Sequence, residues 1–195
     1  MGNRTSVKSK QFITGADTDA ISAAGTATTL VLLNTGPWIN AQTMTMTSTA
    51  DNSGITFAIV GKDADGAAQT VAAHTGPDTT TGSVTGTWSE ITSITASGAI
   101  TTDISAGITG GASTGTIFAG RTRIRGMHGV AGAGPGHIFF KNSSATTGAN
   151  KLTLDVDNGE SIDPYIPDNG VLFSEGAYFA YDGTAVVGLS VQYDG

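Results

Sequence analysis

Short stretches in which apolar and polar residues alternate recur along the whole chain, and this period of two constrains the fold more than any other feature. Met44 and Met46 alternate with threonines, and Leu152, Leu154 and Val156 alternate with polar residues. Because successive side chains of a strand point to opposite faces, such alternation predicts strands with one buried face. Turn residues separate the runs at intervals of about ten residues, as in sandwiches and barrels. The sequence therefore predicts an all-β fold.

The composition changes near residue 117, which predicts two domains. Threonine is abundant before this position and sparse after it, whereas most of the phenylalanines and all four tyrosines follow it. The intervening Gly/Ser/Thr-rich stretch has no apolar periodicity and is typical of a linker. We expect two β-sandwich modules of jelly-roll or Ig-like type, and their predicted order is an N-terminal arm (1–12), a first module (13–104), a linker (105–116) and a second module (117–195).

The charge and the residue usage exclude several classes of function. The formal net charge is -7, and no cluster of Lys and Arg dominates the chain. Since affinity for phosphates comes largely from such clusters, we expect no nucleic-acid partner. With no cysteine, the chain has neither disulfides nor thiolate metal sites. No apolar run reaches the roughly 18 residues of a transmembrane helix, so we expect no membrane span.

The stretch IVGKDADGAAQTVAAHTGP begins like a calcium loop and also like a β-hairpin. A calcium loop of the EF-hand type requires a glycine at its sixth position and a glutamate at its twelfth. Counted from Asp63, these positions hold Ala68 and His74. Two short strands flanking Asp65 and Gly66 instead match a hairpin whose glycine adopts a positive φ. We therefore predict a hairpin.

The densest group of carboxylates lies in LDVDNGESIDP, at the end of a predicted strand. Folded around a hard cation, these oxygens could form a metal site, but a solvated strand and turn is the favoured interpretation. The weak metal candidates are Asp155, Asp157, Glu160 and Asp163. The three histidines lack zinc spacing, and neither a nucleophile elbow nor a phosphate-binding glycine loop is present. We predict no catalytic residue, no cofactor and no enzymatic activity.

The segment RTRIR places three guanidinium groups on one face of a predicted strand. Arg121, Arg123 and Arg125 alternate with Thr122 and Ile124. Two interpretations remain open: the arginines pair with carboxylates of the same chain, or they form a contact edge against an acidic partner or a neighbouring subunit.

Two parts of the chain carry a resemblance to a known class of protein. The segments ITFAIVGKDADGAAQTVAAHTGP and SVTGTWSEITSITAS resemble a module of virion structural proteins from tailed bacteriophages, especially marine ones. The C-terminal part, from RIRGMHGVAGAGPGHIFFKN to GLSVQYDG, resembles another small structural module of phage particles. Together these segments cover about three quarters of the sequence.

The resemblance implies a non-enzymatic virion structural protein that decorates or cements the capsid exterior. The implied partners are the major capsid protein or other virion proteins, and the implied assembly is a homo-oligomer, with a trimer favoured. Contact with the shell would come from the arginine row or from the cations of the N-terminal arm, Arg4, Lys8 and Lys10.

Other functions remain open alternatives. The first is a neck, tail or fibre component of the same particle. The second is a secreted carbohydrate-binding or adhesin module, which would use exposed aromatic rings for sugar stacking. Candidates for those rings are Trp38, Trp88, Tyr165, Tyr178 and Tyr181.

Overall fold

A computed structural model describes residues 7–13, 15–111, 114–167, 169–182 and 186–195. Sixteen β-strands and no helix occur within these residues, so the predicted all-β class is confirmed. Accordingly, no helix in the described part of the chain has the length and apolarity needed to span a membrane.

The chain divides into two compact units, and the second is inserted into the first. We call residues 15–111 the inserted module, and residues 1–14 with 112–195 the split module. The inserted module contains β2 (Asp17–Gly25), β3 (Gln42–Ser48), β4 (Thr56–Lys62), β5 (Ala68–Thr75), β6 (Thr81–Ser83), β7 (Glu90–Ala96) and β8 (Ile104–Gly111). The split module contains β1 (Val7–Ile13), β9 (Thr114–Phe118), β10 (Thr122–Ala131), β11 (Gly136–Asn142), β12 (Asn150–Val156), β13 (Ser161–Ile162), β14 (Val171–Phe173), β15 (Ala177–Tyr181) and β16 (Val186–Asp194).

The inserted module is a sandwich of two antiparallel sheets. One sheet has the strand order β2-β8-β3-β6 and the other β5-β4-β7. Met44 and Met46 of β3 are fully buried, as are Phe57 and Ile59 of β4, so the period of two in the sequence marks the inner faces. Burying a large apolar side chain stabilises a fold by about 1.5–3 kcal/mol, which makes these inner faces the main source of stability in this module.

The split module is also a sandwich of two antiparallel sheets. Its first sheet has the order β1-β16-β10-β13, with β14 also paired to β10, and its second has the order β12-β11-β15-β9. The two inner faces meet through aromatic rings: the centroids of Phe12 on β1 and Phe179 on β15 are 4.5 Å apart, and Phe179 also packs on Phe140 of its own sheet, with centroids 5.7 Å apart. Aromatic contacts of this kind add about 0.5–1.5 kcal/mol beyond area burial.

The expected N-terminal arm differs from the structure, because residues 7–13 form a full strand of the split module. Strand β1 pairs with β16 along its whole length, from Val7 opposite Asp194 to Ile13 opposite Gly188. Phe12 anchors the strand, since its side chain is fully buried. The polar composition of this segment suggested an arm, but an edge strand needs only one buried face. Residues 1–6 lie outside the described residues.

The expected linker over 105–116 also differs from the structure, because strands β8 and β9 occupy most of it. Ile104, Ala106 and Ile108 of β8 are buried and alternate with small residues, a period that the glycine and serine content obscured. Gly107 is required here, because a Cβ at this position would collide with the backbone carbonyl of Asp17 in the adjacent strand. The module boundary therefore lies near residue 112, not within a loop of twelve residues.

The hairpin predicted around Asp65 and Gly66 is confirmed. Strands β4 and β5 pair antiparallel, with Lys62 opposite Ala68, and Gly66 has a φ of 81°. The Asp63 carboxylate accepts hydrogen bonds from the backbone N–H groups of Asp65 (3.0 Å) and Ala67 (2.9 Å). This carboxylate therefore supports the turn, as Asx side chains commonly do.

Candidate functional site

The arginine row has the predicted facial alternation. In β10, the side chains of Thr122 and Ile124 are buried on the inner face, while those of Arg123 and Arg125 lie on the outer face and are partly exposed. Arg121 comes one residue before the strand and is exposed. Strand β10 therefore positions Arg123 and Arg125, and Arg121 extends the row beyond the start of the strand.

The three arginines differ in their contacts. The Arg125 Nε donates to the Asp194 Oδ2 at 2.6 Å, where the Asp194 side chain is only 11% exposed. Arg123 donates to the backbone carbonyl of Asn169 at 2.9 Å. Arg121 makes no hydrogen bond or ion pair within the described part of the chain. Intramolecular pairing thus accounts for two arginines, and Arg121 is available to a partner.

The cations of the N-terminal segment lie in different places. Lys8 and Lys10 belong to β1, whereas Arg4 lies outside the described residues. The Lys8 Nζ is 6.0 Å from the centre of the Phe118 ring, and the Lys10 Nζ donates to the Thr116 carbonyl at 3.1 Å. Burial lowers the pKa of Lys10. Both lysines therefore contact β9 within their own module.

The four carboxylates of the weak metal candidate do not form one cluster. Asp155, Glu160 and Asp163 line a cavity of about 170 Å³. The Glu160 Oε2 accepts a hydrogen bond from the backbone N–H of Asp157 at 3.1 Å, and this bond closes the turn between the two residues. Among the residues that the structure describes, no three His, Asp or Glu side chains are arranged to hold a metal ion.

A histidine and two carboxylates that the sequence did not group together meet on the second sheet of the split module. The His137 Nδ1 lies 3.1 Å from the Asp182 Oδ1, and its Nε2 lies 3.6 Å from the Asp155 Oδ1. The backbone N–H of His137 also donates to Asp182 at 2.7 Å, and this bond lowers the pKa of the Asp182 carboxyl. Strand pairing alone brings these residues together, so no local sequence signal marks them.

The aromatic residues proposed for sugar stacking separate into buried and exposed ones. Trp38 and Trp88 are buried in the core of the inserted module, and Tyr178 is buried in the split module. Tyr181 packs edge-on against Phe12. Tyr165 is 88% exposed and follows β13. Of the five candidates, Tyr165 alone presents most of its ring to solvent.

Tyr165 borders a groove on the outer face of the first sheet of the split module. The groove has a volume of about 490 Å³. Its sheet side is formed by β10 and β16. Along both strands, residues that face the groove alternate with residues buried in the core. The lining consists of Arg125, Gly126, Met127, His128, Asp163, Pro164, Tyr165, Ile166 and Gln192.

The edge strands of the inserted module differ in how they are protected. The outer edge of β7 is covered by an irregular segment, because Leu30 donates to the Ile94 carbonyl and Ala96 donates to the Thr28 carbonyl. Strand β6 has only three residues, and β2 carries two aspartates and pairs irregularly with β8. Short, charged, irregular or covered edges resist pairing with other chains.

Strand β5 has none of these protections except a bulge. It is eight residues long and pairs with β4 on one side, and within the described part of the inserted module no strand pairs with its other side. No Asp, Glu, Lys or Arg occurs from residue 66 to residue 77. Burial lowers the pKa of His74, which keeps the strand neutral at physiological pH. Strand β5 is thus an uncharged edge able to accept a strand from another chain.

No family model, no curated protein and no solved structure matches this chain.

Proposed function

We propose that this protein is a non-enzymatic structural component of a bacteriophage virion that decorates or cements the capsid exterior. Its partners are the major capsid protein or other virion proteins, and it acts at the capsid surface as a homo-oligomer, with three copies favoured. The resemblance of its sequence segments to phage structural modules supports the virion assignment.

The structural observation that carries the assembly part of this proposal is the edge of β5. A monomeric protein with an exposed, uncharged eight-residue edge risks uncontrolled association. A protein that works in a particle uses such an edge productively, because backbone hydrogen bonds to a neighbouring chain continue the sheet. No Asp, Glu, Lys or Arg lies within residues 66–77, so no like charges face each other along this edge.

The arginine row supplies a second contact of different chemistry. Arg121 is exposed and makes no contact that competes with a partner inside the described chain, so it can pair with an acidic group on the shell. Ion pairs at the rim of an interface contribute more to the rate and the specificity of association than to affinity. The β5 edge therefore supplies the contact between copies, and Arg121 supplies a separate ionic contact with the shell.

Light scattering after gel filtration tests the role of the β5 edge. We expect the wild-type protein to be an oligomer, with a trimer favoured, and the double variant Thr70→Lys/Ala72→Lys to be a monomer, because lysines on an edge oppose strand addition. Both positions are exposed, so the variant retains its fold. Asn150→Lys/Thr153→Lys is the matched control, since it adds two lysines at exposed positions of another edge strand that already carries charge. Equal masses for the wild type and the double variant would contradict the assembly role.

Counting copies in purified particles tests the location. Hundreds of copies per virion support capsid decoration, whereas a dozen or fewer would assign the protein to the neck, the tail or a fibre. Absence from purified virions, measured by quantitative mass spectrometry, would refute the virion assignment.

A further inference from the structure

The groove beside Tyr165 is built from an open patch of sheet and a bordering segment. Gly126 and Gln192 lie opposite each other on β10 and β16, and His128 lies opposite Ser190. Gln192 stands between the buried Val191 and Tyr193, which places its side chain on the outer face. The residues that follow β13 form the border of the groove.

The floor of the groove is low because position 126 is a glycine. A Cβ at this position would come within 3.1 Å of the Gln192 Oε1, so any side chain would crowd the amide from below. The pairing of β10 with β16 also shifts between Ile124 and Gly126. Bulges of this kind redirect side chains next to binding sites.

Four side chains that line the groove have no partner within the described residues. Each of them is exposed and has a polar group that makes no hydrogen bond within the described residues. They are His128, Asp163, Tyr165 and Gln192. The carboxylate is an acceptor, the amide is both a donor and an acceptor, and the imidazole supplies a nitrogen of either kind. The phenol ring adds an apolar surface that carries its own hydroxyl group.

This combination selects for one class of ligand. A pyranose ring has an apolar face of C–H groups that packs on an aromatic ring, and its hydroxyls donate and accept hydrogen bonds at the ring edge. The one arginine in the lining, Arg125, already pairs with the Asp194 carboxylate, so an anionic ligand would meet the Asp163 carboxylate and the negative net charge and be repelled. An apolar ligand would leave the amide and the carboxylate without partners, which is costly.

We propose that the groove bordered by Tyr165 binds a neutral sugar ring of a polysaccharide. Tyr165 stacks on the face of the ring, while Gln192, Asp163 and His128 hydrogen-bond its hydroxyls. The volume of about 490 Å³ accommodates one or two sugar rings. A virion protein with this site would adhere to polysaccharide outside the particle, yet the site depends only on this module and not on the virion assignment.

Saturation-transfer NMR with a panel of disaccharides tests the proposal on the full chain. The probes are maltose, cellobiose, lactose and N,N′-diacetylchitobiose, each at millimolar concentration. We expect at least one of them to bind, and we expect Tyr165→Ala to weaken that binding about tenfold, which corresponds to about 1.4 kcal/mol. Tyr165→Phe keeps the ring and should change the Kd by less than about twofold, a difference of roughly 0.4 kcal/mol.

The remaining variants separate this groove from other surfaces. Gln192→Ala should weaken binding as well, whereas Leu33→Ala removes an exposed apolar side chain of the inserted module and should have no effect. The proposal is overturned if none of the probes binds, if binding survives Tyr165→Ala unchanged, or if inorganic phosphate displaces the sugar. Because particle copy number is a separate measurement, failure of this site and failure of the virion assignment are distinguishable.

Discussion

Arg121 and Arg125 occupy the same row but have different roles. Arg125 holds the Asp194 carboxylate at 2.6 Å, and one oxygen of that carboxylate, Oδ1, is buried with no hydrogen bond among the described residues. Arg121 has no such partner in the described chain. Arg125 is therefore part of the fold, and Arg121 is available for binding.

Replacing each arginine by serine should separate these two roles. Arg125→Ser should lower the free energy of unfolding by about 1–3 kcal/mol, because it leaves a nearly buried carboxylate without its partner. Arg121→Ser should leave stability within about 0.5 kcal/mol of the wild type and weaken attachment to the particle. Urea denaturation measures the first effect and co-sedimentation with particles the second. A loss of stability in Arg121→Ser with unchanged attachment would make the whole row structural.

At the level of residues, the sequence predicts faces but not partners. The alternation in RTRIR is local, so it correctly predicted which side chains lie on the outer face of β10. Asp194 and Asn169 are far away in the chain, and only the pairing of β10 with β16 and β14 brings them close. The same reason hid the contacts of His137, which involve Asp155 and Asp182.

At the level of elements, β1 shows how a polar sequence becomes a strand. Every one of its seven residues pairs with β16, but only Phe12 is fully buried. Its strand character comes from the partner strand and one anchor, since strand propensity depends strongly on context. By contrast, β3 and β4 carry their own alternation and were predictable from sequence.

Truncating the anchor should therefore weaken the split module. Phe12→Ala should lower the free energy of unfolding by about 3–5 kcal/mol, because it removes the ring that packs on Phe179 and leaves a cavity. Val7→Ala is the control on the same strand, since Val7 is 58% exposed, and it should cost less than about 0.5 kcal/mol. Chemical denaturation followed by tyrosine fluorescence measures both, since all four tyrosines lie in the split module and both tryptophans lie in the inserted module. If the two variants lose similar stability, β1 is not anchored through Phe12.

At the level of the whole molecule, the two modules depend differently on chain continuity. All strands of the inserted module lie within residues 15–111, whereas the split module takes β1 from one side of that insertion and its other strands from the other. The sequence predicted two sandwiches but divided them in linear order. A change in composition separates only consecutive stretches of the chain. It therefore could not show that β1 belongs with β16, which lies more than 170 residues later.

A fragment of residues 15–111 should therefore fold alone, with a β-type circular dichroism spectrum and cooperative thermal unfolding, because its core and its sheets are complete. A fragment of residues 112–195 should be unstable or aggregate, since it lacks Phe12 and exposes the edge of β16. Adding a synthetic peptide of residues 7–13 to the second fragment should partly rescue it. Cooperative folding of the second fragment without the peptide would show that β1 is dispensable.

The pairing of β1 with β16 also has a consequence for the order of events during synthesis. When β1 leaves the ribosome its partner does not yet exist, and it stays without that partner until residues 186–194 have been made. The inserted module, meanwhile, has all of its strands once residue 111 has emerged. A long sequence separation slows the pairing of β1 with β16, because the chain loses the entropy of closing a long loop before the contacts between the strands can stabilise it. Strand β1 is thus made before every other described strand of its module, yet it can be incorporated only after β16 has been made, by which time the inserted module already has all of its strands.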